Sequence, residues 1–247
     1  MRPLFLVMIL LQAISCAAES EIYIGPHFHY TRVDFNTPTD VEGYMGGVTV
    51  GGGYQWCNLF TNVDFEGSWN SGPITGVPCE RSSLREYFLE WKAGRDFCQK
   101  CFDKVFVFRP YVGFGWDRFI NQQNPQGMGL KYEYDKLFVP VGIYAYWLEN
   151  SCFKCGVQFE WRPDVYSCLR LSSANFNIEW DQAFRAQLPI EMSWAWCCQC
   201  FDLKIVPFFD WNRFGRVKDE SPNQVMVDIP ELTRWNLGLR VLLGYNF

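Results

Sequence analysis

The closing stretch, Trp235 to Phe247, constrains the fold of this chain more than any other. Trp235, Leu237, Leu239, Val241, Leu243, Tyr245 and Phe247 share one parity; Asn236, Gly238, Arg240, Leu242, Gly244 and Asn246 share the other. A β-strand turns successive side chains to opposite faces, so one face is apolar and aromatic and the other mostly small or polar. The run is longer than an ordinary strand of a soluble sheet.

The same alternation recurs upstream. Ile22, Ile24, Phe28 and Tyr30 oppose His27, His29 and Thr31; Tyr44, Val48, Val50 and Tyr54 oppose Gly47, Thr49, Gly51 and Gly53. Later runs set Val63 and Phe65, Tyr87 and Leu89, Phe106 and Phe114, Val141 and Ile143, Val157 and Phe159, Phe176, Ile178 and Phe184, and Leu203 and Phe209 on the apolar parity. Tight turns at Cys57-Asn58, Cys98 to Cys101, Ser151 to Cys155 and Cys197 to Cys200 alternate with longer polar loops. Strands that cross a bilayer need about 9–11 residues, and outer-membrane barrels pair short turns on one side with long loops on the other. The pattern predicts an all-β fold, a transmembrane antiparallel up-and-down β-barrel of about ten strands, with eight or twelve as alternatives. Pro26, Pro110, Pro140, Pro189 and Pro207 fall inside strands and predict local breaks, because each removes a ladder hydrogen bond.

Residues 1–18 read as a signal peptide: Arg2, an apolar core from Leu4 to Leu11, and the small-residue end Ser15-Cys16-Ala17-Ala18. Cleavage is expected near Ala17 or Ala18, with a lipoprotein-type attachment at Cys16 as the alternative. Residues 19–247 then form a single barrel domain. No later run of about 18 apolar residues exists, so no membrane helix is expected. The net charge of -5 argues against a nucleic-acid partner.

Aromatic residues make up 18% of the chain, including 11 Trp, and all of these tryptophans take the apolar parity. Trp69, Trp116, Trp161, Trp180, Trp211 and Trp235 fall toward the long-loop end; Trp56, Trp91, Trp147, Trp194 and Trp196 fall toward the short-turn end. Two aromatic girdles against lipid headgroups are expected. The opposite parity carries Asp64, Glu66, Glu86, Glu90, Lys92, Arg109, Asp117, Lys136, Glu160, Arg162, Glu179, Asp181, Arg185, Glu191, Lys204, Asp210 and Arg240. These face the lumen, since Arg or Lys on the lipid face at midplane costs roughly 2–4 kcal/mol.

Eight cysteines sit at the tight turns: Cys57, Cys98, Cys101, Cys152, Cys155, Cys197, Cys198 and Cys200. Disulfides within the barrel or to neighbours, a zinc site from the two Cys-x2-Cys pairs, and free thiols all fit that spacing. Disulfides are the leading expectation and no metal is expected, because the two pairs lie on separate hairpins of an exported chain. Cys79 and Cys168 stand on the outer side and are expected to pair, tying two loops together.

The closing strand, ending on an aromatic residue, resembles that of Gram-negative outer-membrane β-barrel proteins. The resemblance implies export to the cell outer membrane, with Tyr245 and Phe247 read by the barrel-assembly machinery. The signal peptide, barrel pattern and cysteine-bearing turns together resemble the cysteine-rich outer-membrane proteins of chlamydiae, nearest the Protochlamydia-type family with porin-like members. This implies disulfide cross-links to other cysteine-rich envelope proteins.

Catalysis is not expected. Omptin-like proteases need a His paired with acidic groups at the outer rim, and phospholipase-type barrels need Ser and His near lipid. The only histidines, His27 and His29, share the inward parity of the first strand and read as members of a polar network. No phosphate loop or nucleophile signature occurs, and no cofactor is expected. The leading expectation is a porin-like protein with a narrow, mildly cation-preferring polar lumen. The alternative is a structural or surface-interaction barrel, cross-linked into the envelope, whose lumen its own side chains plug. Ten strands lie near the size at which side chains fill a barrel.

Overall fold

The alternating runs become strands that wrap once around an axis. In the computed structural model the described residues are 18–34, 40–73, 81–101, 104–123, 130–150, 152–171, 174–178, 182–196, 199–215, 217–220, 226–229 and 231–247. They form a closed 10-strand antiparallel barrel. The first strand is Ala18–Asp34, the second Val41–Trp56 and the third Leu59–Pro73. The fourth runs as Arg81–Arg95 and Phe97–Cys101, and the fifth as Lys104–Gln123. The sixth comprises Leu130–Phe138 and Val141–Asn150, and the seventh Phe153–Trp161 and Asp164–Leu171. The eighth comprises Ala174–Asn177, Gln182–Gln187 and Ile190–Trp196. The ninth is Gln199–Phe214 and the tenth Leu232–Asn246, while Val217–Glu220 and Met226–Ile229 form a hairpin between them.

Closure joins the first strand to the tenth, from Glu21 opposite Asn246 to Asp34 opposite Thr233. The terminal residue takes part: the Ser20 N–H donates to the Phe247 carbonyl (3.1 Å), and the Phe247 N–H to the Ser20 carbonyl (3.0 Å). From Trp161 the ladder leads one way through Phe184, Trp211 and Trp235 to Arg32. The other way it leads through Val141, Val112, Ala93, Thr61 and Tyr54 to Ser20. The ring therefore returns to the first strand twelve residues lower, from Arg32 to Ser20. A stagger of this size tilts the strands by roughly 40°.

Pro26, Pro110 and Pro207 lie within unbroken strands, whereas the sixth, seventh and eighth strands break at Pro140, Pro163 and Pro189. The Pro163 break was not foreshadowed by the alternation. The prolines donate nothing, but their carbonyls still accept: Pro140 from Gly113, Pro163 from Val139, Pro189 from Gly156 and Pro207 from Leu188, each at 3.0 Å. These bonds bridge the ladder across the breaks.

The outer wall is apolar. Ile22, Ile24, Phe28, Val63, Phe65, Leu89, Val112, Phe114, Phe159, Leu237 and Leu243 are all exposed, the arrangement of a barrel dissolved in lipid. Trp69, Trp116, Trp161, Trp211 and Trp235 lie toward the long-loop end of this wall, and Trp56, Trp147 and Trp194 toward the other. Trp180 lies outside the described residues, as does the side chain of Trp196. Trp91 departs from its expected band. It sits amid the apolar belt, opposite Val63 and Phe114, and its indole N–H donates to Thr61 Oγ1 (2.8 Å). The local hydrogen bond lets a tryptophan sit at a depth where no headgroup reaches.

The eighth strand departs at its outer end. Phe176 and Ile178, expected on the membrane face, are buried, and Asn177 between them is exposed. Ala174–Asn177 pairs back on the seventh strand, and the Ile178 N–H donates to the Ser167 carbonyl (3.1 Å). The outer ends of these strands stand beyond the apolar belt, where the outside is water. The apolar parity therefore turns inward, into a core with Val33, Met45, Leu84, Phe119, Leu169, Phe214 and Leu232.

Candidate functional site

Beneath that apolar core the barrel interior is a packed charge network. Asp64, Glu66, Glu86, Glu90, Lys92, Arg109, Asp117, Lys136, Glu160, Arg162, Arg185, Glu191, Lys204, Asp210 and Arg240 all point inward. Glu179 and Asp181 lie outside the described residues.

The ladder explains the middle layer. Asp64 and Glu90 lie directly opposite each other, a repulsive pairing on its own. Lys92 sits between them, its Nζ 2.5 Å from Glu90 and 3.3 Å from Asp64. Arg185 lies opposite both Glu160 and Asp210. It forks onto Asp210 (2.5 and 2.7 Å) and reaches across the lumen to Glu66 (3.1 Å). Arg240 holds the same Glu66 at 2.9 Å. Arg162 pairs with Glu160, whose other oxygen accepts from the Tyr111 hydroxyl (2.8 Å). Arg185 and Arg162 both lie over the Phe88 ring, 4.4 and 4.5 Å from its centroid, and Arg240 lies 4.4 Å over Phe208. The two rings fill the space between guanidinium groups that would otherwise repel.

The upper layer centres on Arg234, which is 1% exposed. It reaches Asp117 (2.5 Å) and Glu86 (3.2 Å), under the rings of Phe119 and Phe214. His29 Nε2 lies 3.3 Å from Glu86, and His27 Nδ1 lies 2.9 Å from Thr49 Oγ1. Toward the short turns, Arg109 forks onto Asp96 (2.5 and 2.6 Å), Lys154 holds Glu191 (3.0 Å), and Lys204 pairs with Glu21. The void left among His29, Glu66, Glu86, Phe88, Arg185, Phe208, Asp210 and Asn236 is about 10 Å³. That is room for about one water molecule.

Arg234, Asp96, Phe88 and Phe208 were not singled out from sequence. Arg234 falls at the edge of the last loop, and only extending the parity of Asn236 and Arg240 by one more step would have found it. Nothing in the alternation marks Phe88, an aromatic between Glu86 and Glu90 on the polar parity.

The cysteines do not follow the expected pairing. Cys98, exposed, and Cys155, half-buried, are free thiols on the short-turn side. Cys168 is a free thiol as well, and buried. A register shift between Asp164 and Tyr166 precedes it, and Asn177 of the folded-back hairpin lies opposite it. Cys168 is thus enclosed rather than presented to another loop, and Cys79 lies outside the described residues. Cys57 occupies its two-residue turn with φ 56°, the left-handed conformation such a hairpin requires. Cys152 stands exposed at its turn. Cys197 and Cys198, and the side chains of Cys101 and Cys200, lie outside those described. Among the described residues no group of three or more His, Cys, Asp or Glu is placed to hold a metal.

No family model matches the chain, and no curated protein matches it. Among solved structures it is similar to the outer membrane protease OmpT of Escherichia coli, with a TM-score of 0.56 and 11% identity over 94% of this chain and 97% of that one. It is also similar to the translocator domain of the autotransporter NalP of Neisseria meningitidis (TM-score 0.47, 10% identity, 100% and 95% covered). A third is the attachment invasion locus protein Ail of Yersinia pestis (TM-score 0.38, 12% identity, 93% and 99% covered). The likeness to OmpT is one of fold, and with the apolar outer wall it defines the class: a β-barrel of the outer-membrane type. The resemblance to the chlamydial cysteine-rich family finds no support in these comparisons.

Proposed function

We propose that the protein is a closed, non-catalytic outer-membrane barrel whose working surface is its outer face rather than its lumen. The observation that carries this reading is the interior. Charged layers cross-link opposite walls, an apolar core caps them, and the void among His29, Glu66, Glu86 and Arg185 is about 10 Å³. This supports the surface-interaction alternative over a porin-like pore. The pairing of His29 with Glu86 lies below the apolar cap, and this depth supports a structural role over catalysis. Liposome swelling tests the reading: vesicles carrying the refolded chain should exclude small sugars and amino acids as well as empty vesicles do. Swelling at rates that scale inversely with solute size would restore the porin reading.

The terminal strand supports recognition by the barrel-assembly machinery, because Phe247 is 68% exposed and stacks on Tyr245 with centroids 5.9 Å apart. Deleting Phe247 should lower the folded fraction in the outer membrane of cells while leaving refolding in detergent intact. Exposed Cys98 supports cross-linking to neighbouring envelope proteins. Reductant-sensitive high-mass species on gels should then disappear in Cys98→Ser.

A further inference from the structure

The interior accounts for the inward charges but not for a recess on the opposite face. We propose that this recess, between the first three strands, together with Arg85 beside it, binds one acylated phosphate monoester of the outer leaflet. The acyl chain fills the recess and the phosphate pairs with Arg85.

The recess measures about 540 Å³ and is lined by Phe28, Tyr44, Gly46, Gly47, Trp69 and Asn70, with the inward-facing His29 and Met45 also bordering it. Its origin is local. Gly46 takes the outward parity between Tyr44 and Val48, and the ladder sets it directly opposite both Phe28 and Trp69. Two large rings flank a residue without a side chain, and a hole remains. The hole is not closed by backbone: a Cβ on Gly46 would meet only the Phe28 ring, at 3.5 Å. Phe28, Tyr44 and Trp69 are 63%, 75% and 56% exposed, toward the hydrocarbon at the level of the upper tryptophans. From the tryptophan level the recess runs past Phe28 toward the apolar belt, so the occupant is a hydrocarbon chain.

Arg85 supplies the headgroup preference. It lies directly opposite Trp69 in the ladder, points outward and is exposed. Other described outward arginines near this level have partners: Arg32 with Asp40 (2.8 Å), Arg118 with Glu133 (2.6 Å) and Arg213 with Glu231 (2.6 Å). Arg85 makes no ion pair among the described residues. A guanidinium with no described carboxylate partner beside an apolar slot selects a ligand that carries an oxyanion, two of whose oxygens match the guanidinium fork, on a greasy tail.

Native mass spectrometry of the refolded chain, released from micelles, tests this with three probes: dioleoyl phosphatidic acid, dioleoylglycerol and inorganic phosphate. The wild-type chain should retain one phosphatidic acid, about fivefold over dioleoylglycerol, the effect of one interfacial cation. It should not retain phosphate alone. Arg85→Gln should erase the preference and keep the lipid, whereas Gly46→Leu should release both lipids. Gly46→Ala serves if the leucine variant fails to fold, and should lower retention of both. Equal retention by wild type and the Gly46 variants, or a preference that survives Arg85→Gln, would overturn the proposal.

Discussion

Arg185 lies between Glu160 and Asp210 in the ladder, forks onto Asp210 and reaches Glu66 on the far wall, so one guanidinium ties the eighth strand to the ninth and the third. Its removal strands buried carboxylates. Arg185→Leu should therefore destabilise the barrel by about 3–5 kcal/mol, read as a shift in the urea unfolding midpoint in micelles. Arg213→Ala, which breaks the exposed pair with Glu231, should cost under about 1 kcal/mol. At Trp91 the relevant bond faces lipid. Thr61→Val leaves the indole N–H without an acceptor in hydrocarbon and should cost about 1 kcal/mol by the same measurement, while Thr61→Ser should restore it. Single residues were only partly legible in the sequence. Parity marks which charges turn inward, yet the partner of His29 depends on how far the stagger carries Glu86 around the barrel. The aromatic spacers Phe88 and Phe208 break the polar pattern and leave no trace in it.

Strands were far more legible than their ends. The alternation from Ile22 to Tyr30 or from Trp235 to Tyr245 specifies a face at every step, because a slip of one residue would turn charges into lipid. The eighth strand was misread at Phe176 and Ile178 because parity specifies two faces without saying which solvent each one meets. Above the membrane the preferred face inverts. Close approach of neighbouring strands gives a sharper test of the register. A Cβ on Gly47 would lie 2.1 Å from the Gly67 carbonyl oxygen, a backbone atom that cannot swing aside. Gly47→Val should therefore abolish the heat-modifiable folded band on gels, whereas Gly46→Ala, whose Cβ would meet only the Phe28 ring at ordinary contact distance, should leave that band in place.

At the scale of the whole molecule, ten strands with a twelve-residue stagger enclose a space that, on the reading proposed above, this chain fills with its own side chains. The strand count and the lipid-facing wall were readable because both are periodic. Whether the lumen is open was not, since charges of both signs on the inward parity fit a water-filled channel as well as a cross-linked plug. The packing supports the plugged reading, through the reach of Arg185, Arg234 and Arg240 and the apolar core over them. The most direct measurement is single-channel recording of the refolded chain in planar bilayers, with insertion verified independently by protease protection. Inserted barrels that stay electrically silent across the voltage range are the predicted result. Discrete, reproducible conductance steps from the wild-type chain would contradict a closed lumen.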